Sequence, residues 1–441
     1  LVKTKSNREF LTGIPKIRSI NLNQILTMRF ERLKINNWKQ FEEIDIDFHS
    51  KLTVLTGANG AGKTTILNLL AQHFGWNLQE LATPAKDEDT GSFRYFTRYF
   101  KKAYKFFSGK ENKNHIGKLW YSDGNKADLT VPNTDSPQYK INIRNRRNVE
   151  GFNIHSHRPP FNYADVSNIP LKKRSAKKAF DLVSNTSRRN ISGRHSNQTI
   201  NYHLKETLLL WANQGYESKV QEADLQAKRN YEGFQEVLKE VLPDTLGFKE
   251  FKIRTGEIVL ICDSGDFMLD AVSGGIASII DLAWKVYLLS IDTDKEITIL
   301  IDEAENHLHA SLQRKLLPSF LNAFPNVQFI VSTHSPLIIG SVKSSNVYAL
   351  RYTVTDEGNR KVYSQLLDLQ NKAKNATDIL NEVLGVSFTM PIWVEHSLKD
   401  IVDKYSDQEM DETTFDNMRS ELEEIGLEEI MPLAIKKALN N

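Results

Sequence analysis

Cysteine is nearly absent: Cys262 stands alone among 441 residues, so no disulfide can form within the chain and the fold must rest on packing. Long apolar runs are missing too. The run at 258–262 falls far short of the roughly 18 residues that suggest a bilayer span, and no membrane segment is expected. Residues 1–27 hold no apolar leader core, which with the lone cysteine points to the cytoplasm. Glycine and proline are sparse, at 22 and 13 residues, and with 40% hydrophobic and 25% charged residues the composition excludes a collagen-like or wholly disordered chain. The length suits two or three domains, or one nucleotide-binding core with insertions.

A net charge of +2 neither favours nor excludes nucleic acid, but the charge is unevenly spread. Residues 171–195 hold eight Lys or Arg against Asp181 alone, and residues 98–118 add seven more, interleaved with Tyr104, Phe106 and Phe107. Such clusters either contact phosphates or form solvated faces. The opposite holds at 395–431, where thirteen carboxylates face three basic residues; Leu422, Ile425 and Ile430 give this stretch an amphipathic helical pattern with something to pack on.

The first strand-like run opens at Met28, leaving residues 1–27 as an N-terminal extension or a start that is not native. Residues 28–48 alternate as two half-buried strands around an Asn36-Asn37 turn. Strand 51–56, a glycine-rich loop and a helix at 63–74 follow, completing a first core segment at 28–75. Residues 76–170 read as an antiparallel β-rich insertion, with strands at 116–129 and 139–143. Residues 171–247 read as a helical basic insertion, broken by a Ser/Asn/Arg-rich loop at 184–199. The core resumes over 248–352, with a strand pair around Thr255-Gly256, helices at 277–289 and 308–324, and buried strands at 297–301, 327–332 and 347–351. Residues 353–441 form an acidic helical region suited to docking a partner. Alternating strands and helices of this kind make an α/β fold with a largely parallel sheet.

The sharpest signal is Gly57-Ala58-Asn59-Gly60-Ala61-Gly62-Lys63-Thr64, a phosphate-binding loop between a strand and a helix. Phosphates need dense N–H donors free of side-chain obstruction; the glycines and helix N-terminus provide them, and Lys63 adds a point charge. Gly57, Asn59, Gly60, Gly62, Lys63, Thr64 and Thr65 are therefore candidate nucleotide contacts, with ATP as ligand. Strand 297–301 ends in Asp302-Glu303 at a carboxyl edge, where open α/β sheets bind ligands. Thr64 and Asp302 are the candidate Mg²⁺ holders, and Glu303 would polarise the attacking water. His334, just beyond the next strand, is placed to sense the γ-phosphate. Ser273-Gly274-Gly275 opens the 277–289 helix as a second anion site, or as a plain helix cap.

Together the 57–64 loop, the 273–275 signature, Asp302-Glu303, the His307-Leu308-His309 run and His334 resemble an ABC-type ATPase head, most like the SMC and OLD-type AAA ATPases. The resemblance covers roughly 28–75 and 250–352. It implies a mostly parallel P-loop sheet with an antiparallel β subdomain and an inserted helical region. It also implies that two heads close face to face in a homodimer or higher oligomer, with Ser273 and Gly275 of one completing the ATP site of the other. The short insertions and the 154–160 segment look similar to ATPases of bacterial antiphage operons of the Septu PtuA, retron-associated and PARIS AriA kinds. These work with a separately encoded nuclease or toxin effector, and DNA or a phage protein would be the trigger.

Two departures stand out. Ile276 occupies the usual signature glutamine position, and no Q-loop glutamine is visible, residues 156–158 being the positional substitutes. Trp38 or Phe41 is either an adenine-stacking residue or core. There is no HNH-type histidine cluster, and about 100 residues after His334 leave little room for a Toprim nuclease, so the chain is expected to be a slow ATPase and not the nuclease. The rival reading is an SMC-like DNA-maintenance ATPase that clamps DNA, although long heptad arms are absent. A transporter ATPase subunit fits the atypical signature and long insertions poorly.

Overall fold

The computed structural model describes residues 28–86, 91–97, 114–134, 136–194, 198–291, 293, 295–354, 358–369, 376–382, 384, 392–406 and 412–426. The 1–27 extension, the basic run 98–113 and Ile430 lie outside the described residues.

The fold opens on an antiparallel hairpin, β1 (Phe30–Trp38) and β2 (Phe41–Asp47), in which Trp38 pairs with Phe41. The chain reverses at Lys39-Gln40 rather than at the expected Asn36-Asn37, which lies within β1. Trp38 and Phe41 are both fully buried, so the turn waits until the indole has reached the core. Next come β3 (Leu52–Gly57), α1 (Lys63–Ala71), β4 (His115–Tyr121), β5 (Lys126–Thr130), β6 (Asn142–Arg144) and β7 (Gly151–Ile154). Helices α2 (Ala176–Ile191), α3 (Ile200–Gly215) and α4 (Leu225–Val241) precede the strand pair β8 (Phe248–Arg254) and β9 (Glu257–Cys262). The second half runs α5 (Gly274–Ser290), β10 (Ile297–Ile301), α6 (Ala310–Ala323), β11 (Val327–Ser332), α7 (Pro336–Ile339), β12 (Asn346–Val354) and β13 (Arg360–Leu366). It ends in α8 (Ala376–Glu382), α9 (Ile392–Ser406) and α10 (Glu412–Glu424).

Eleven strands form one sheet in the order β6-β5-β4-β1-β2-β13-β12-β3-β11-β10-β7. From β12 to β7 the neighbours are all parallel. Strands β3, β10 and β11 are buried along their whole length, which is why they read as continuous apolar runs rather than alternating ones. From β6 to β2 the neighbours are antiparallel. The two halves meet through β13, parallel to β2 and antiparallel to β12. Thus the β-rich stretch 76–170 builds four strands of the main sheet, and 353–441 holds a strand as well as helices.

Helix α2 continues to Ile191, through half of the loop expected at 184–199. Ser175 caps it by accepting from the Lys178 amide, and Val183, Ser184 and Thr186 are buried on its inner face. Near its end Arg188 donates to the Phe74 carbonyl at 2.8 Å and lies over the Trp76 ring. Trp284 of α5 meets Trp211 of α3 and Phe234 of α4 at ring-centroid distances of 5.5 and 4.7 Å, an aromatic centre joining the helices. In α10 Met418 and Leu422 are fully buried, and Glu421 accepts from the Tyr405 hydroxyl of α9 at 2.8 Å, so the amphipathic acidic stretch packs on its neighbour. No helix among the described residues is long and apolar enough to cross a membrane.

Candidate nucleotide site

The loop between β3 and α1 is shaped by glycines that no other residue could replace. Gly57 has φ 134°, and a Cβ there would lie 2.4 Å from the Leu350 carbonyl oxygen of β12. Gly62 has φ 98°, and its Cβ would lie 2.4 Å from the Phe41 ring. Both positions demand a left-handed backbone and a bare Cα. Phe41 therefore serves as the floor of the loop, and Trp38, fully buried, donates to the Tyr139 hydroxyl at 3.1 Å. Neither ring is available to stack on adenine; both are core.

Lys63 is buried, and its ammonium donates to the carbonyls of Gly57 and Ala58 at 3.0 and 3.1 Å, closing the loop on itself. Burial lowers its pKa, against the pull of Asp302, Glu303 and Glu305. Thr64, exposed, donates its hydroxyl to both carboxylate oxygens of Asp302 at 3.2 and 3.0 Å. Asp302 sits at the carboxyl end of β10, and burial raises its pKa despite hydrogen bonds from Ser332 and Thr64. A hydroxyl and a carboxylate of hard oxygen character on adjoining elements are what Mg²⁺ takes beside substrate phosphates.

Ser332, the last residue of β11, ties the acidic pair together. Its hydroxyl donates to Asp302 Oδ1 at 2.5 Å and accepts from the Glu303 amide at 2.8 Å. Glu303 has φ 47°, and its carboxylate accepts from Asn306 Nδ2 at 2.7 Å. Glu305 accepts from the His334 amide at 2.6 Å and from the Thr333 hydroxyl at 2.7 Å, fixing the backbone that carries the histidine. Burial lowers the His334 pKa, with Lys63 adding to the effect against the pull of Glu305, Glu303 and Asp302, which favours the neutral ring.

Ser273 and Gly274 are exposed at the start of α5, and the Ser273 hydroxyl makes no capping bond, unlike Ser175 and Thr199 on their helices. Upstream, Asp270 accepts from Lys205 Nζ at 2.8 Å and Asn201 Nδ2 at 3.0 Å, tying this segment to α3. No hydrogen bond among the described residues joins 273–275 to the 57–64 loop.

The structure therefore gathers Lys63, Thr64, Asp302, Glu303 and His334; Ser273 and Gly274 are left exposed, and Gly275 is half-buried against the His307 carbonyl. Sequence reasoning passed over Ser332, Glu305 and Asn306. Glu305 was detectable as a third carboxylate in the 302–305 run; the other two carry no motif of their own.

A family model described as an AAA ATPase domain matches residues 28–339, which hold the loop, the acidic pair and the histidine. The chain belongs to this AAA ATPase family. It is 24% identical to "Retron Ec83 probable ATPase" of Escherichia coli over 398 residues, 74% of this chain and 72% of that one. Septu protein PtuA of Bacillus thuringiensis matches at 27% identity over 40% of this chain and 46% of its own length. Among solved structures, the SMC head domain from Thermotoga maritima covers 77% of this chain and 99% of its own, at 15% identity and a TM-score of 0.37.

Proposed function

We propose that this ATPase binds ATP with Mg²⁺ at the 57–64 loop and hydrolyses it slowly, and that two copies close head to head around the nucleotide. Their nucleotide-dependent association controls a separately encoded nuclease or toxin effector in antiphage defence, with the trigger a phage protein or DNA. The observation that carries the reading is the Thr64–Asp302–Ser332–Glu303 chain of contacts, which joins the phosphate loop to the acidic pair.

Lys63 would exchange the Gly57 and Ala58 carbonyls for phosphate oxygens, at little cost because its charge is already held in place. Thr64 and Asp302 would hold Mg²⁺, which when bound neutralises charge on the phosphate oxygens. Glu303, held by Asn306 through one carboxylate oxygen, would accept a hydrogen bond from the attacking water through the other, orienting it toward the γ-phosphorus. The neutral His334 ring can donate one N–H toward the γ-phosphate without repelling Lys63. The exposed Ser273, whose hydroxyl makes no capping bond to its helix, supports a role in completing the partner copy's site. Support for the defence role is the likeness to the retron ATPase over 74% of the chain.

The test is native mass spectrometry of Glu303→Gln protein purified with ATP from cells that also express the flanking genes. A stoichiometric nuclease or toxin subunit is expected; an isolated homodimer carrying only DNA would favour the DNA clamp instead. That second reading draws on Lys172, Lys177, Lys178, Arg189 and Arg194, all exposed on or beside α2. Arg174 and Arg188 are committed to internal contacts with Glu206 and the Phe74 carbonyl. If the exposed cations bind DNA, affinity falls steeply with salt, and a flat dependence leaves them a solvated face.

A further inference from the structure

Arg158 is only 3% exposed, yet no carboxylate pairs with its guanidinium among the described residues. Its Nη2 donates to the carbonyl oxygens of Glu303 and Asn306 at 3.0 and 3.1 Å. Its Nε and Nη1 have no hydrogen-bond partner among the described residues. Burying a cation in this way is expensive, and an apolar side chain of the same volume would fill the space more favourably. The arrangement therefore calls for a reason beyond packing.

The two carbonyls belong to the turn that carries the water-orienting carboxylate. Both ends of that turn are in the left-handed region, Glu303 at φ 47° and His307 at φ 68°, a conformation that non-glycine residues keep only where the surroundings enforce it. Within the turn the Asn306 amide donates to the Glu303 carbonyl at 3.1 Å. Asn306 Nδ2 reaches the Glu303 carboxylate at 2.7 Å and the Ser156 carbonyl at 3.2 Å. On its other side the turn rests on the start of α5, where a Cβ on Gly275 would lie 3.0 Å from the His307 carbonyl. Arg158 thus grips the turn from the segment after β7, two residues beyond the Ser156 carbonyl that steadies Asn306.

We propose that Arg158 is a positioning residue for ATP hydrolysis: by clamping the Glu303 and Asn306 carbonyls it holds the turn in the shape that lets Asn306 aim the Glu303 carboxylate. The inference rests on the ATPase reading above. A forked guanidinium suits the task because one terminal nitrogen bridges two carbonyls. An ammonium can satisfy part of the demand, whereas methionine, which fills the space, satisfies none.

The test compares wild type, Arg158→Met and Arg158→Lys in the full chain by steady-state turnover, equilibrium binding of a fluorescent ATP analogue with Mg²⁺, and thermal melting. Arg158→Met is expected to melt cooperatively and to lose kcat by roughly 10- to 100-fold, the scale of a small misplacement of a reacting group. Analogue affinity and KM should stay within about 2-fold, as for an interaction that acts after binding. Arg158→Lys should recover part of the lost kcat. Wild-type kcat in Arg158→Met, or kcat and affinity falling together in step with the melting temperature in both variants, overturns the proposal. If Arg158→Met does not fold, Arg158→Lys decides: reduced kcat at unchanged affinity supports the clamp and unchanged kcat overturns it. A wild-type protein that turns over no ATP would instead overturn the ATPase reading and this inference with it.

Discussion

Thr64 Oγ1 reaches both carboxylate oxygens of Asp302, although the two residues are 238 positions apart. The contact puts the start of α1 against the end of β10, at the place proposed for Mg²⁺. Asp302→Asn keeps the shape and still allows Ser332 to donate, but removes the negative charge. Turnover should fall by about 100-fold or more, the scale of losing an electrostatic contact at a reacting phosphate. Titrating Mg²⁺ against ATP turnover checks this, and an unaltered Mg²⁺ dependence removes Asp302 from the cation site.

Lys63→Ala should abolish ATP binding. The ammonium is the only buried cation bonded to the loop among the described residues, and charge-assisted bonds contribute about 1.5–3 kcal/mol each. Two such bonds amount to a loss of at least about 100-fold in affinity. Equilibrium titration with a fluorescent analogue measures it; retained tight binding would sink the loop assignment.

Glu303→Gln should bind ATP with near wild-type affinity and turn it over roughly 10²- to 10⁴-fold more slowly, the usual reach of a positioned base. The amide keeps one acceptor for Asn306 but cannot take up the charge developing on water. Single-turnover measurement separates binding from chemistry, and an unchanged rate rejects Glu303 as the catalytic residue.

Stability should decline on the acid side. Burial pushes the His73 and His155 imidazoles down to about 4 from 6.5. The unfolded chain thus takes up protons that the folded one refuses. The contribution is complete above about 6.5 and is lost as pH falls from there toward 4, up to roughly 3 kcal/mol for each ring. Denaturant melts at pH 7.5 and 4.5 should show the decline, and His73→Gln and His155→Gln should each flatten it. A variant with the wild-type slope would clear its histidine of responsibility.

The glycine-rich loop, the Asp302-Glu303 strand end and the parallel core were legible from residue order alone, because each is local. A glycine-rich turn needs its glycines in one loop, and a strand buried on both faces must be apolar along its length. What residue order could not reveal was set by contacts across the sheet. The hairpin turn moved to Lys39-Gln40 because Trp38 and Phe41 both had to enter the core, and α2 ran on to Ile191 because Arg188 found the Phe74 carbonyl. Ser332 became the link between Asp302 and Glu303 only because β11 lies beside β10 in register. The grip of Arg158 on the Glu303 turn is still less visible in sequence, since its partners are backbone carbonyls that every residue carries; only the tertiary fold decides which of them a buried guanidinium can reach.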